Sequence, residues 1–182
     1  MAESILFSQR VPGKILLSGE YLVLDGATAL GLVSRHGQSL SVETNSTAKP
    51  GTLRWTALDM DGKPWMEAVL ILENGRWSLA ANSAEVPENQ RLRQGLQAAW
   101  DLASEKQFAE SSPTTSSKQS PAHSLAQTGL RVTTSLEFPR RWGLGSSSTL
   151  IALLAEWWSV DARRLYAMVQ NGSGYDLEIA LS

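Results

Sequence analysis

The chain has 182 residues, of which 42% are hydrophobic and 19% are charged, so a single domain with a buried core is expected. The formal net charge of -2 gives no electrostatic reason to expect a nucleic-acid partner or an anionic membrane surface. No run of about 18 apolar residues occurs, so no transmembrane helix is expected, and residues 1–10 do not resemble a signal peptide. The absence of cysteine excludes disulfides and thiolate metal sites, and it agrees with an expected location in the cytoplasm.

The first half of the chain predicts strands. Short, loosely alternating apolar runs favour strands at residues 5–7, 14–24, 29–33, 39–42, 53–58, 65–72 and 77–80. Dipeptides typical of hairpin turns separate several of these runs: Asp25-Gly26, Asp61-Gly62 and Asn74-Gly75. This part of the sequence therefore predicts antiparallel hairpins.

The second half predicts mainly helices. Pro87 suits a first helical position, and an apolar stripe at helical spacing follows it. Residues 109–128 are rich in Ser, Thr, Gln and Pro, which is typical of an exposed low-complexity loop. Three further elements are predicted, a strand at 130–138, an apolar helix at 147–158 and a helix at 161–170 that begins with Asp161 as N-cap.

The order of these elements predicts the fold class. Strands come first and helices later, which favours one α+β domain over residues 1–182, with helices on one face of a largely antiparallel or mixed sheet. Residues 150–158 of the predicted helix are apolar nearly all round, so the helix requires cover on several sides. We expect part of that cover to come from a domain beyond this chain.

A glycine-rich segment joins the predicted strand at 130–138 to the following helix. It contains Gly143, Leu144, Gly145, Ser146, Ser147 and Ser148. Glycines let a backbone approach a ligand closely, and the first amides of a helix, together with its dipole, attract phosphate. The segment has neither the lysine of a Walker loop nor the dinucleotide fingerprint, and a tight turn with serine caps explains it equally well.

Three segments resemble the sequence motifs of the GHMP kinases, in the order in which those enzymes have them. They are Val11-Pro12-Gly13-Lys14 through Gly19-Glu20-Tyr21, Pro139 through Gly143-Leu144-Gly145-Ser146-Ser147, and Gly172-Ser173-Gly174-Tyr175-Asp176. The superfamily includes galactokinase, homoserine kinase, mevalonate kinase and phosphomevalonate kinase. The sequence is most similar to a branch related to the last two, although Glu178 stands where that branch has a small residue.

This resemblance implies ATP-dependent phosphorylation of a small metabolite, mevalonate or phosphomevalonate-like, in the isoprenoid precursor pathway. The implied fold is the ribosomal-protein-like, two-layer N-terminal domain of these kinases. The implied cofactors are ATP and Mg²⁺, and the implied partner is a small-molecule substrate, with a homodimer left open. GHMP kinases usually continue into a C-terminal domain with a third glycine-rich motif, and we expect that domain to be largely missing because the chain ends at Ser182.

The resemblance also implies two catalytic residues. Asp176 is implied as the base, or as the group that orients the acceptor. Lys14 is implied as a cation about 4 Å from Asp176, where it keeps the carboxylate ionised. From the residues alone, Asp176 is explained by the role of a helix N-cap, and Lys14 by that of a solvated residue at the start of a strand.

Further residues receive roles in the same way. Residues 143–148 are implied to bind the nucleotide phosphates, with Ser147 as a Mg²⁺ ligand, and Glu20 and Tyr21 are implied to line the acceptor pocket. Residues 165–169 lack the carboxylate that helps mevalonate kinases bind Mg²⁺. Two alternatives therefore stand beside an active kinase: a truncated, non-catalytic nucleotide-binding relic, and a relative of mevalonate-diphosphate decarboxylase.

Overall fold

The computed structural model describes residues 3–19, 27–109, 120–170 and 174–181. Its elements are, in chain order, β1 (Ile5–Ser18), β2 (Leu30–Asn45), β3 (Thr52–Leu58), β4 (Pro64–Glu73), β5 (Arg76–Leu79), α1 (Pro87–Ala109), α2 (Pro121–Gln127), β6 (Gly129–Leu136), a 3₁₀ turn (Arg140–Trp142), α3 (Ser146–Trp158), α4 (Ala162–Val169) and α5 (Tyr175–Leu181). The strands of these described residues form one sheet in the order β1-β2-β6-β3-β4-β5. Neighbouring strands are antiparallel except β6 and β3, which are parallel. The predicted α+β class with a mixed sheet is confirmed.

One face of the sheet is buried beneath helices. Alternate residues of four strands point into this core, as the two-residue repeat of a strand requires: Leu40, Val42, Leu53, Trp55, Ala68, Leu70, Leu130 and Val132. Helices α1, α3 and α5 contact the sheet, and α4 packs against α1 and α3. The core therefore lies between the sheet and these helices.

Two of the predicted hairpin turns are confirmed. Asn74 and Gly75 both have positive φ, 51° and 74°, which is the backbone of the tight turn that joins β4 to β5. The turn between β3 and β4 passes through Gly62, whose φ is 73°. The third predicted turn, at Asp25-Gly26, lies outside the described residues, although β1 and β2 do pair in antiparallel fashion.

The first two strands are longer than predicted. β1 continues through Pro12, which an edge strand tolerates because fewer of its amides belong to a ladder. β2 is one strand that covers the two runs predicted at 29–33 and 39–42, and its pairing with β1 is irregular near Ser34, between the two runs. There the hydroxyl of Ser34 accepts a hydrogen bond from the backbone N–H of His36 at 3.1 Å.

The prediction of an exposed loop over residues 109–128 is wrong for its last part. Pro121–Gln127 forms helix α2, which begins with Ser120 as N-cap, and the side chain of Leu125 is buried in the core. Ser followed by Pro is a helix-start signal, and the polar composition of the segment concealed it. Residues 110–119 lie outside the described residues.

The apolar helix α3 is covered within the domain itself. Nine of its thirteen residues are buried, and it contacts α1, α4, α5, β1 and β2. Trp158 also packs edge-on against Trp100 of α1, with ring centroids 6.0 Å apart. The expectation that this helix needs cover from a further domain is therefore wrong. Among the described residues, no helix has the length and apolar character needed to cross a membrane.

Candidate active site

A loop with two left-handed glycines connects β6 to α3. After the 3₁₀ turn, Gly143 has a φ of 69° and Gly145 a φ of 80°, a backbone region that residues with a side chain rarely adopt. A Cβ added at Gly143 would meet no atom within 4 Å, so open space adjoins the loop there. At Gly145 the same test gives 3.0 Å to Cγ of Lys14, so the other side of the loop packs on β1.

The N-terminus of α3 is left without a side-chain cap. Gly145 is the N-cap residue, and its carbonyl accepts the first helical hydrogen bond from the amide of Thr149 at 2.9 Å. The amides of Ser146, Ser147 and Ser148 precede this first bond, so they point out of the helix end. Together with the helix dipole, they form a site that favours an anion.

The three serines of the loop differ in exposure. Ser147 is exposed and Ser146 is partly exposed, so their hydroxyls are accessible to a ligand. Ser148 is only 3% exposed, so its hydroxyl is not freely accessible to a ligand. The structure thus places Ser147, the predicted Mg²⁺ ligand, at the accessible end of α3.

A buried polar pair fixes the start of α3 on the sheet. The hydroxyl of Thr149 donates a hydrogen bond of 2.6 Å to Oε1 of Gln38 in β2, and both residues are almost fully buried. Sequence reasoning missed this pair. The available signal was that Gln38 lies two residues before Leu40 and four before Val42, both core positions, so that a polar side chain faces the core.

Lys14 and Asp176 form the ion pair that the motifs predict. Nζ of Lys14 lies 2.8 Å from Oδ1 of Asp176, and the same ammonium donates a hydrogen bond of 3.3 Å to the hydroxyl of Tyr175. The backbone amide of Lys14 donates to the carbonyl of Leu144 in the glycine loop at 3.0 Å. One residue of β1 thus contacts both the loop and the carboxylate.

The electrostatics of this cluster follow from burial and charge. Burial alone would lower the pKa of Lys14, but the contacts with Asp176 and Tyr175 outweigh it and raise that pKa above 10.5. Oδ1 of Asp176 is buried and receives no hydrogen bond of good geometry from the described residues, so its contact with Lys14 is an ion pair. Burial, and then the negative charge of Asp176, raise the pKa of Tyr166, a neighbour that sequence reasoning missed.

Two predicted site residues cannot be located relative to this cluster. Glu20 and Tyr21, the predicted acceptor-pocket pair, lie outside the described residues. Within residues 165–169, which contain no carboxylate, Leu165 is fully buried. No three His, Cys, Asp or Glu side chains converge on a metal position anywhere in the described ranges.

A pocket of about 330 Å³ lies beside the 3₁₀ turn that leads into the loop. It is lined by Trp65, Met66, Glu67, Ala84, Val86, Glu88, Asn89 and Arg140. The guanidinium of Arg140 stacks on the Trp65 ring, 3.7 Å from its centroid. Within the described residues, Nε1 of Trp65 and Oδ1 of Asn89 are buried without a hydrogen-bond partner. Sequence reasoning missed this pocket because its walls come from three separate segments of the chain.

Solved structures resemble this fold, whereas no family model and no curated protein matches the chain. The phosphomevalonate kinase of Streptococcus pneumoniae, solved in complex with phosphomevalonate and AMPPNP, has a TM-score of 0.58 at 15% identity over 96% of this chain and 46% of that one. The mevalonate kinase of Methanococcus jannaschii has a TM-score of 0.56 at 13% identity, over 94% of this chain and 51% of that one. The galactokinase of Lactococcus lactis, complexed with galactose, has a TM-score of 0.52 at 13% identity, over 93% of this chain and 38% of that one.

The fold is that of the GHMP kinases. Identities of 13% to 15% show similarity of fold and carry no activity from these enzymes to this chain. The chain spans about half the length of the structures it matches or less, from 38% to 51%. The fold implied by the three sequence motifs is thus supported by structural comparison.

Proposed function

We propose that this chain binds ATP at its glycine loop and takes part in transferring the γ-phosphoryl group to a small metabolite of the mevalonate or phosphomevalonate kind. The observation that carries the proposal is the position of Lys14. Its backbone holds the loop at Leu144, and its ammonium contacts the carboxylate of Asp176. Phosphoryl transfer depends on positioning and on charge neutralisation, and this cluster offers groups suited to both.

The phosphates of ATP fit the N-terminus of α3. The three amides that precede the first helical bond, those of residues 146–148, would donate to phosphate oxygens, and the exposed hydroxyl of Ser147 would add another donor. Open space beside Gly143 gives the phosphates room. The methylene groups of Lys14 lie against the other side of Gly145, so its ammonium would be near the negative charge of bound phosphates.

The base of ATP fits the pocket beside Arg140. Its volume of about 330 Å³ is at the lower end of the range for small-molecule sites, about 300–1,000 Å³. Arg140 and Trp65 already form a flat stacked pair at its wall, on which a purine ring can extend the stack. Asn89 lines this pocket, and its unpaired Oδ1 would accept a hydrogen bond from the amino group of adenine once the amide turns toward the cavity.

Mg²⁺ fits this site if the nucleotide supplies most of its ligands. The protein ligand that we assign to the ion is the exposed hydroxyl of Ser147, since the described residues hold no group of three acidic or histidine side chains. Mg²⁺ usually keeps several waters and takes few protein ligands, so a sparse donor set is compatible with it. When bound, the ion neutralises charge on the phosphates.

Asp176 and Lys14 would act on the acceptor. The raised pKa of Lys14 keeps its ammonium charged at neutral pH, so it can stabilise negative charge on the attacking oxygen. With an alcohol acceptor, the carboxylate of Asp176 would orient the hydroxyl and accept its proton. With a phosphate acceptor, no proton needs to be removed and Lys14 alone would hold the acceptor oxygen.

The test is phosphoryl transfer from Mg-ATP to mevalonate and to phosphomevalonate, followed by ³¹P NMR of the product. We expect Asp176→Asn to reduce kcat by about 10²–10⁴, as loss of a general base does. The matched control is Glu178→Gln on the same helix, because that carboxylate pairs with Arg163 instead of Lys14. Unchanged turnover in Asp176→Asn would remove this residue from the chemistry, and no transfer by the wild-type chain to either acceptor would remove the proposed kinase activity.

A second candidate function is nucleotide binding without transfer. It is favoured by the buried Leu165 in the stretch where mevalonate kinases carry a metal-binding carboxylate. The same experiment separates the two candidates. Saturable binding of ATP with no product from either acceptor would support a binding function, and product formation would exclude it as the sole function.

A further inference from the structure

Helix α5, which carries Asp176, rests on β2 at a residue that has no side chain. A Cβ built at Gly31 would collide with Cδ1 of Ile179 and would lie 2.9 Å from its Cγ1. The side chain of Ile179 therefore fills the space where any other residue at position 31 would place its own. Gly31 does not have a positive φ, so its backbone would accept another residue and the restriction is one of space.

This contact lies beside the Lys14–Asp176 ion pair. Gly31 is paired with Leu16 of β1, and positions 14 and 16 share one face of the strand because side chains alternate. On α5, Asp176 and Ile179 are three residues apart and therefore also share one face. The helix thus meets the β1–β2 ribbon at two neighbouring points, one ionic and one steric.

We propose that Gly31 is a positioning residue, because the notch that it leaves in β2 seats Ile179 and so sets the distance between Asp176 and Lys14. The geometric part stands on these contacts alone, and its catalytic consequence rests on the proposed function. Ile179 can move its Cδ1 aside by rotating χ2, but Cγ1 is fixed by χ1, which has one strongly preferred value for isoleucine in a helix. A methyl group at position 31 must therefore push α5 outward or force Ile179 out of that rotamer.

The test is a double-mutant cycle of Gly31→Ala and Ile179→Ala, read by NMR titration of the Lys14 ammonium and by the kinetics of phosphoryl transfer. Gly31→Ala should lower the pKa of Lys14, since burial remains while the partner carboxylate moves away. It should also lower kcat by about 10- to 100-fold, the effect of roughly 1 Å of misplacement, with little change in the KM for ATP. The double variant should recover both properties, because alanine at position 179 leaves room for the added methyl.

The matched control is Leu32→Ala, which removes atoms from the neighbouring residue of β2, a side chain that is 49% exposed and paired with Ile15. It should leave the pKa of Lys14 unchanged. An unchanged pKa in Gly31→Ala, or a double variant no better than Gly31→Ala, would overturn the proposal. If Gly31→Ala alone does not fold, the double variant decides, because it must fold with the wild-type pKa of Lys14. If the double variant recovers the pKa of Lys14 but the chain shows no turnover, the positioning role of Gly31 stands and only the proposed function is contradicted.

Discussion

Lys14 and Asn89 are both buried polar residues, and they differ in how their polar atoms are matched. The ammonium of Lys14 meets a carboxylate and a phenol. Asn89 donates its amide hydrogens to the carbonyls of Glu67 and Ala84, at 3.3 Å and 2.8 Å, and its Oδ1 accepts nothing from the described residues. An unmatched buried acceptor costs about 1–3 kcal/mol, so a ligand that brings a donor to it gains affinity.

This unmatched acceptor predicts a preference for ATP over GTP. Adenine has an amino group at position 6, whereas guanine has a carbonyl oxygen there, which would face Oδ1 of Asn89 as a second acceptor. We expect ATP to bind at least about 10-fold more tightly, which is about 1.4 kcal/mol, in a competition titration. ITP has the carbonyl without the 2-amino group of guanine, so it should bind as weakly as GTP. Equal affinities for ATP and ITP would show that the base does not contact Asn89.

At the scale of elements, an ion pair and its hydrogen bonds connect three segments that precede the glycine loop in the chain. We call this group the clamp. Glu137, which directly follows β6, accepts two hydrogen bonds from Arg10 of β1, at 2.7 Å and 2.6 Å, and one from the amide of Gly37 in β2 at 2.8 Å. Arg10 also donates to the carbonyl of Arg35. The hydrogen bonds from Arg10 lower the pKa of Glu137 to about 2, against a smaller opposing effect of burial. The clamp therefore holds the segment that leads into the loop.

The lowered pKa predicts how acid affects this clamp. Because the pKa of Glu137 is lower in the folded state, its stabilisation is present above pH 4.5 and is lost as the pH falls to about 2. The side chains of Arg10 and Glu137 are 44% and 40% exposed, so screening limits the gain to about 1 kcal/mol. Urea unfolding should find Glu137→Gln less stable by about this amount at pH 7 and equal to wild type near pH 2. The same deficit at both pH values would contradict the ionic origin of the clamp.

Local signals in the sequence were enough for many elements and failed for others. Asn74-Gly75 and Asp161 act through their own backbone neighbourhoods, so the turn and the N-cap are readable in isolation. Helix α2 was not predicted because the serine- and glutamine-rich composition of its segment favours a loop, although Ser120-Pro121 is a helix-start signal. In this segment, the capping hydrogen bond of Ser120 is a better predictor of secondary structure than the composition of the surrounding residues.

At the scale of the whole molecule, contacts between distant elements could not be read from the residues. Gln38 and Thr149 are 111 residues apart in the chain, and no local pattern pairs them. The pairing of Lys14 with Asp176 came from the resemblance to known motifs, since strand and helix propensities do not specify which elements meet. The steric fit of Ile179 on Gly31 depends on how α5 lies across the sheet, which only the folded chain defines.

Within the described residues, an uncapped helix end, a base-sized pocket and a partly buried ion pair all adjoin the segment from Pro139 to Gly145 or the residue that contacts it, Lys14. Each feature is made by different elements, and Lys14 and the 139–145 segment link them. A nucleotide that spans the pocket and the helix end would contact all of them. This arrangement makes nucleotide binding at the glycine loop the property on which every proposed role depends.

The most direct measurement is the affinity for Mg-ATP, by isothermal titration calorimetry, of the wild-type chain and of Gly145→Val. Valine at this position would strain a φ of 80° and press on Lys14, so we expect at least about a 10-fold loss of affinity, or about 1.4 kcal/mol. The control is Gly75→Val, in the turn between β4 and β5. Gly75 has a similar φ of 74° and a similarly close neighbour, Trp100. It should bind ATP as the wild type does. Saturable binding by the wild type that Gly145→Val leaves unchanged, or no binding by the wild type, would contradict the placement of ATP at this loop.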